Sequence, residues 1–319
     1  MSVPKSVALP GGAQIPAVGC GTWTVWQAAP GAVRDAIKAA IAEGYRHVDC
    51  AWVYGNEQEV GEAIEAKIKD GTVARSDLFI TTKLWDTAHR RGAVTEQLKK
   101  ALARLRLDYV DLYLIHWPTS FKEGDIDFPK DDNDKHIFEF HDIQDTWKGM
   151  EDAKDAGLTK NIGISNFNSK QVQRVIDGAR IKPCNIQIEV NPLFSNARLI
   201  DFCQERELTV TAYAPFGSPN RPWKKSDDPV LFEQPILKDI AAAKGKSPAQ
   251  VCLRFLLQRG LVVIPKSVTP SRLKENFQLY DFELSEAEMK QMFSLNRDHR
   301  VYGQEITLDH PEYPFSIPF

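Results

Sequence analysis

Residues 47–61 read HVDCAWVYGNEQEVG. Val48 to Ala51 make a short apolar run of strand length, interrupted by one carboxylate, Asp49. Tyr54 follows, and after it an acidic stretch opens in which Val60, Ala63, Ile64 and Ile68 share one helical face. The segment therefore reads as a buried strand, a loop and an amphipathic helix, with a carboxylate at the strand end and a phenol just beyond it.

The same unit recurs along the chain. Apolar runs at AVGCGT (17–22), LFITTKL (78–84), YVDLYLIHW (109–117), NIGIS (161–165), NIQIEV (185–190), LTVTAYA (208–214) and LVVIPKS (261–267) join HVDCA (47–51) to give eight predicted strands. Helical patterns alternate with them. Val33, Ile37 and Ile41 line one helix, and Leu98, Leu102 and Leu105 another. Further helices are expected near 143–155, 168–178, 197–206, 236–257 (in two pieces) and 271–279. Gly44, Gly157 and Gly245 stand where helix ends call for a left-handed residue. Continuously apolar strands alternating with helices indicate a parallel sheet covered on its faces. Eight such units favour a closed α/β barrel. SVAL and QIPAV around Pro10-Gly11-Gly12 predict an N-terminal β-hairpin that caps one end. The long segments after strands four (119–142) and seven (216–234) belong at the C-terminal face of such a barrel, where its chemistry is done. No linker or repeat divides residues 1–319, so one domain is expected.

Bulk properties narrow the function classes. The chain has 319 residues, 43% hydrophobic, and a formal net charge of −3, with neither a basic stripe nor an acidic tail. That balance argues against nucleic acid or a membrane surface as the main partner. The five cysteines are scattered, without Cys-x-x-Cys, which disfavours a disulfide framework or a zinc cage and suits a reducing compartment. No signal-peptide pattern opens the chain, and no run of about 18 apolar residues occurs. A soluble, cytoplasmic protein, most simply a monomer, is the expectation.

Four polar residues converge on the predicted strand ends: Asp49, Lys83, His116 and, on the loop after strand two, Tyr54. The chemistry that unites them is proton transfer to a carbonyl oxygen. A phenol with an ordinary pKa of about 10 is a reluctant acid near neutrality. A lysine cation beside it favours the phenolate, and a buried carboxylate fixes that lysine. His116 would orient the carbonyl.

In combination, HVDCAWVYGNEQEVG, TTKLW, DLYLIHWP, IGISNFN and IPKSVTPSRLKENF closely resemble the aldo-keto reductase superfamily, especially its aldose-reductase-like members, over about residues 5–319. The resemblance implies a (β/α)8 TIM barrel that binds NADPH and reduces small carbonyl compounds. It identifies Asp49, Tyr54, Lys83 and His116 with the catalytic tetrad. It assigns Thr22, Trp23, Asp49, Ser165, Asn166 and Gln187 to the nicotinamide and its ribose, and Tyr213 to the ring face. Gly217 and Ser218 fall on the pyrophosphate loop. Lys266, Ser267, Thr269, Arg272, Glu275 and Asn276 match the adenosine end. Two cations at a helix start would also favour a 2′-phosphate on physical grounds. Trp23, Val53, Trp85, His116, Trp117, Phe121, Trp223 and Tyr302 are expected to line the substrate pocket. No metal is implied.

The chain departs from the family pattern at Ile186 (commonly asparagine), Asn191 (commonly histidine) and His299 (tryptophan in mammalian aldose reductases), and Trp52 is a bulky neighbour for Tyr54.

Other reductase classes lack their marks. GCGTWT has no third glycine of a dinucleotide fingerprint, no tyrosine is followed four residues on by lysine, and no zinc-ligand cluster occurs. Two alternatives remain at this level: a barrel lyase with Lys83 as a Schiff-base lysine, and a cofactor-binding regulatory or structural barrel with little turnover.

Overall fold

The structure is a computed structural model and describes residues 3–24, 29–317 and 319. Ser6–Ala8 (β1) and Gln14–Pro16 (β2) form an antiparallel hairpin, its turn carried by Gly11 at φ 93° and Gly12 at φ 90°. Leu9 and Ile15 of this hairpin pack against Phe79, Leu112, Leu114 and Val262. The hairpin thus plugs one end of the main sheet.

Eight parallel strands run in chain order around that sheet: Cys20–Gly21 (β3), His47–Asp49 (β4), Phe79–Leu84 (β5), Val110–Ile115 (β6), Thr159–Ser165 (β7), Asn185–Glu189 (β8), Thr209–Tyr213 (β9) and Val262–Val263 (β10). Parallel bridges Val18↔Val263 and Gly21↔Lys266 join the first strand to the last, and the Gly19 N–H donates to the Val263 carbonyl at 2.8 Å. The sheet closes on itself as an eight-stranded barrel, as the repeat of strand and helix signals predicted. β3 and β10 are shorter than their apolar runs, because closure there uses isolated bridges flanking a two-residue ladder.

Helices cover the outside: Ala32–Ala42 (α1), Glu57–Lys69 (α2), Arg91–Leu105 (α3), Ile143–Asp155 (α4), Ser169–Gly178 (α5), Ala197–Gln204 (α6), Pro235–Lys244 (α7), Pro248–Gln258 (α8), Pro270–Phe277 (α9) and Glu286–Phe293 (α10). The predicted apolar faces are the buried ones, with Val33, Ile37 and Ile41 of α1 and Leu98, Leu102 and Leu105 of α3 all removed from water. α1 starts at Gly31 without a side-chain cap; instead the Glu59 carboxylate, from α2, accepts from the N–H groups of Gly31, Val33 and Arg34 at 2.9–3.0 Å. α2 and α3 touch closely because Gly61 has no side chain: a Cβ there would meet the Arg104 carbonyl at 2.6 Å. α10 lies outside the predicted set. Its signal was a capping box, Ser285 with Glu288, ahead of a weakly apolar stretch.

Among the described residues, no helix is long and apolar enough to cross a membrane, and the five cysteines are free and buried.

Candidate active site

The C-terminal ends of β4, β5 and β6 lie side by side, with Asp49 paired to Thr81 and Lys83 to Leu114. Strand alternation turns Thr81 and Lys83 to the same face of β5. Asp49 is 2% exposed and Lys83 1%. Two charges so deep inside a protein persist only when paired and hydrogen-bonded. Lys83 Nζ donates to Asp49 Oδ1 at 2.5 Å, to the Cys50 carbonyl at 2.9 Å and to Tyr54 Oη at 3.2 Å. The other Asp49 oxygen accepts from Gln187 Nε2 at 2.8 Å, across the barrel on β8.

Tyr54 ends a 3-10 turn, Trp52–Tyr54, which Gly55 closes in the left-handed conformation at φ 67°. Burial holds the phenol above its usual pKa of 10, while the neighbouring Lys83 pulls the other way and loses. The lysine thus acts in the expected direction, but the free phenol stays protonated at neutral pH. Burial alone would discharge Lys83, yet Asp49 and Tyr54 offset that and hold the ammonium charged.

His116 follows β6, its N–H donating to the Leu84 carbonyl at 3.1 Å. Burial, helped by Lys83, keeps the imidazole neutral, well below its ordinary 6.5. Its ring meets the edges of Tyr54 at 5.7 Å and Trp85 at 5.5 Å and stacks on Trp117 at 6.4 Å. Asn166 adopts φ 63°, a conformation asparagine tolerates. From there its Nδ2 donates to the His116 carbonyl at 2.9 Å and its Oδ1 accepts from Tyr213 Oη at 2.8 Å. Ser165 Oγ accepts from the same amide at 3.1 Å, and Thr22 Oγ1 donates to the Asp49 carbonyl at 2.9 Å. Asp49, Tyr54, Lys83, His116, Thr22, Ser165, Asn166, Gln187 and Tyr213 therefore meet at one mouth.

A groove runs from this mouth past Cys20, Gly21, Thr22 and Thr24 to Lys266 and Ser267. Lys266 is exposed, and the protein packed around the base of its side chain lowers its pKa. α9 begins beside it at Thr269 with no side-chain cap. Ser267 Oγ accepts the Thr269 N–H at 3.0 Å; Arg272 is exposed on α9, Asn276 is buried, and Glu275 accepts from Ser247 at 2.5 Å. Pro270 has no N–H and the Arg272 and Leu273 N–H groups bond the Thr269 carbonyl, so it is chiefly the two cations, Lys266 and Arg272, that fit a phosphorylated ligand.

Aromatic walls rise on two sides. Trp23 meets Trp223 at 6.2 Å and Tyr302 at 5.8 Å, edge to face. Trp223 keeps 47% of its surface exposed. Opposite, Trp85, Trp117 and Phe121 form a cluster joined by Trp52, Val53, Phe138 and Phe315. Phe121 is 1% exposed and stacks on Phe138 at 5.7 Å, so it backs the wall instead of facing the opening.

Trp52 finds its account here. Its indole N–H donates to Asp127 Oδ1 at 2.8 Å, while Trp85 Nε1 donates to the Asp127 carbonyl at 2.7 Å. The Arg104 guanidinium of α3 lies over the Trp52 ring at 3.7 Å. The 119–142 segment, itself bridged at Phe121↔Phe138 and Lys130↔His136, is thereby pinned to the turn that carries Tyr54. Asp127 gave no sequence signal, since acidic residues surround it. A second missed carboxylate, Glu189, ends β8 with 0% exposure. It carried the same signal as Asp49, an acid inside a buried apolar run.

Residues 17–297 match the model of the aldo/keto reductase family. Aldo-keto reductase family 1 member A1 of Gallus gallus is 47% identical over 323 residues, covering 98% of each chain. The Homo sapiens protein of that name is 42% identical, again over 98% of each. The solved aldose reductase of Schistosoma japonicum superposes with a TM-score of 0.92 at 44% identity, covering both chains completely.

Proposed function

The chain belongs to the aldo/keto reductase family, and on that premise we propose that it reduces small aldehydes and ketones to alcohols with NADPH, Tyr54 giving the proton. One observation carries the reading: the Tyr54 hydroxyl sits 3.2 Å from an ammonium group that a buried carboxylate keeps charged. When bound, the nicotinamide supplies the hydride to the carbonyl carbon. Tyr54, protonated at neutral pH, donates to the carbonyl oxygen as negative charge develops there. The phenolate left behind is stabilised by Lys83, which cannot drift because Asp49 and the Cys50 carbonyl hold its other N–H groups. His116, neutral, orients the carbonyl without adding a charge that would compete with Lys83.

Thr22, Trp23, Asp49, Ser165, Asn166 and Gln187 would hold the nicotinamide end, Tyr213 its ring, and Gly217 and Ser218 the pyrophosphate. Lys266, Ser267, Thr269, Arg272, Glu275 and Asn276 would hold the adenosine end, the two cations selecting the 2′-phosphate. The aromatic walls suit a small or medium apolar carbonyl compound.

Lyase chemistry at Lys83 is disfavoured, because a Schiff base needs a neutral, accessible amine. This amine is charged and its three donors are taken. The deciding experiment monitors NADPH oxidation with glyceraldehyde and a panel of larger aldehydes and ketones. Cofactor binding without turnover on the panel would replace this reading with a regulatory one, and borohydride trapping on Lys83 would replace it with a lyase.

A further inference from the structure

The dipeptide Val301-Tyr302 is tied at nearly every polar atom. Glu189 Oε1 accepts from the Val301 N–H at 2.9 Å, and Oε2 accepts from the Tyr302 N–H at 2.9 Å and shares the Val301 N–H at 3.1 Å. The Val301 carbonyl accepts from Trp223 Nε1 at 3.1 Å. Tyr302 Oη lies 2.7 Å from Ser218 Oγ, and its ring meets Tyr213 at 5.5 Å and Trp223 at 5.6 Å. Two segments far apart in the chain, 300–302 and 216–223, are thus joined to each other and, through one carboxylate, to the rigid end of β8. The fit of the acceptor is specific. A carboxylate offers acceptors on both oxygens, whereas an amide of the same shape would present an N–H to one of the two donors.

We propose that Glu189 is a positioning residue that makes the C-terminal segment and the 216–223 loop one closing unit, so that the substrate wall at Tyr302 and the cofactor cover at Ser218 and Trp223 tighten together. The assignment of those walls rests on the reductase reading above; the mechanical coupling does not. Burial lifts the Glu189 carboxyl to about 7, against its two backbone donors and the charges of Arg300 and Arg221. Tyr213 and Tyr302 also face it, Asn191 Nδ2 stands 3.5 Å away, and Arg221 is itself paired with Asp228, beside His299. The raised value means that the closed unit holds this proton more tightly than an open one would, so ionisation as pH rises through 7 weakens the closure.

Amide hydrogen exchange on the free full-length protein tests this directly. The protection factors of Val301 and Tyr302, corrected for intrinsic exchange, should fall about tenfold between pH 6 and pH 8 in the wild type. Glu189→Gln should abolish that step, lower protection in both 300–302 and 216–223, and raise the NADPH dissociation constant and the aldehyde KM together, with kcat within about threefold. Tyr302→Phe, which cuts the link to Ser218 and leaves the Trp223 bond to the Val301 carbonyl, should lower protection at 216–218 while Val301 and Tyr302 stay protected; it decides the matter even if Glu189→Gln does not fold. Unchanged protection in Glu189→Gln, or loosening of 300–302 with 216–223 unmoved, overturns the coupling. Wild-type protein that shows the exchange pattern but neither binds nor oxidises NADPH would overturn the reductase reading and leave the coupling standing.

Discussion

Lys83 holds its ammonium 3.2 Å from the Tyr54 hydroxyl and 4.9 Å from the centre of the same ring, so the charge addresses both the oxygen and the π-face. Tyr54→Phe keeps the ring and removes the proton. It should lower kcat by about 10²–10⁴-fold while leaving the NADPH dissociation constant, read by fluorescence titration, nearly unchanged. A loss carried by cofactor affinity instead would remove Tyr54 from the chemistry.

The pH profile of kcat/KM for reduction should be flat through neutrality. The phenol is needed protonated and burial keeps it above 10, so the rate declines only in the alkaline range. His116, already neutral, adds no inflection near 6.5. Lys83→Met removes the charge that opposes burial, so the residual activity should decline at a still higher pH. An acid limb near neutrality that vanishes in a His116 variant would contradict this account.

Asp127 joins two indoles from different strands' loops. Asp127→Ala should cost about 1 kcal/mol of stability, one hydrogen bond's worth, and raise KM for bulky aldehydes more than for glyceraldehyde. Asp127→Asn retains the Oδ1 acceptor and should behave like the wild type. Thermal melts with a substrate-length series of KM values provide the comparison.

Arg272 is exposed on the first turn of α9, where its guanidinium makes no hydrogen bond or ion pair among the described residues. Arg272→Ala should weaken NADPH by about tenfold or more, the scale of a charge-assisted bond, and leave NADH almost untouched. Dissociation constants for both cofactors measured side by side give the answer; equal losses would assign the 2′-phosphate elsewhere.

Glu189 also sets a pH dependence of stability. Its folded pKa of about 7 lies above the ordinary 4.5. The folded state therefore keeps a proton that the unfolded chain has released, and stability from this group is full below about 4.5 and is lost as pH rises through 7. Glu189→Gln should flatten the fall in Tm between pH 5 and pH 8 relative to the wild type. An identical slope in both proteins would mean the carboxyl does not titrate in that window.

The barrel was legible because its signal is repeated: β5 and β6 read as long apolar runs, and Val33, Ile37 and Ile41 mark one face at helical spacing. α10 is hard to read from sequence because its apolar face is thin, although Ser285 and Glu288 mark its start. The tetrad positions were legible for a different reason, since a charged residue inside an apolar strand needs a partner and few are within reach. By that argument Glu189 stood out as clearly as Asp49, but its partners are the backbone N–H groups of residues 301 and 302, which carry no side-chain signature. Asp127 was invisible for the opposite reason, one acid among Asp125, Asp131, Asp132 and Asp134 in a solvated segment. Nor does a motif reveal that burial outweighs Lys83 at Tyr54, because that balance depends on how much water the finished mouth excludes.

The bridges Val18↔Val263 and Gly21↔Lys266 have a consequence for assembly. The ring shuts where the two ends of the strand sequence meet, and the proposed phosphate groove straddles that suture. A growing chain has no complete groove until its last strand has been made and zipped to its first. Any ligand seated there would grip only the shut ring and so act as a staple across it, raising the barrier to reopening.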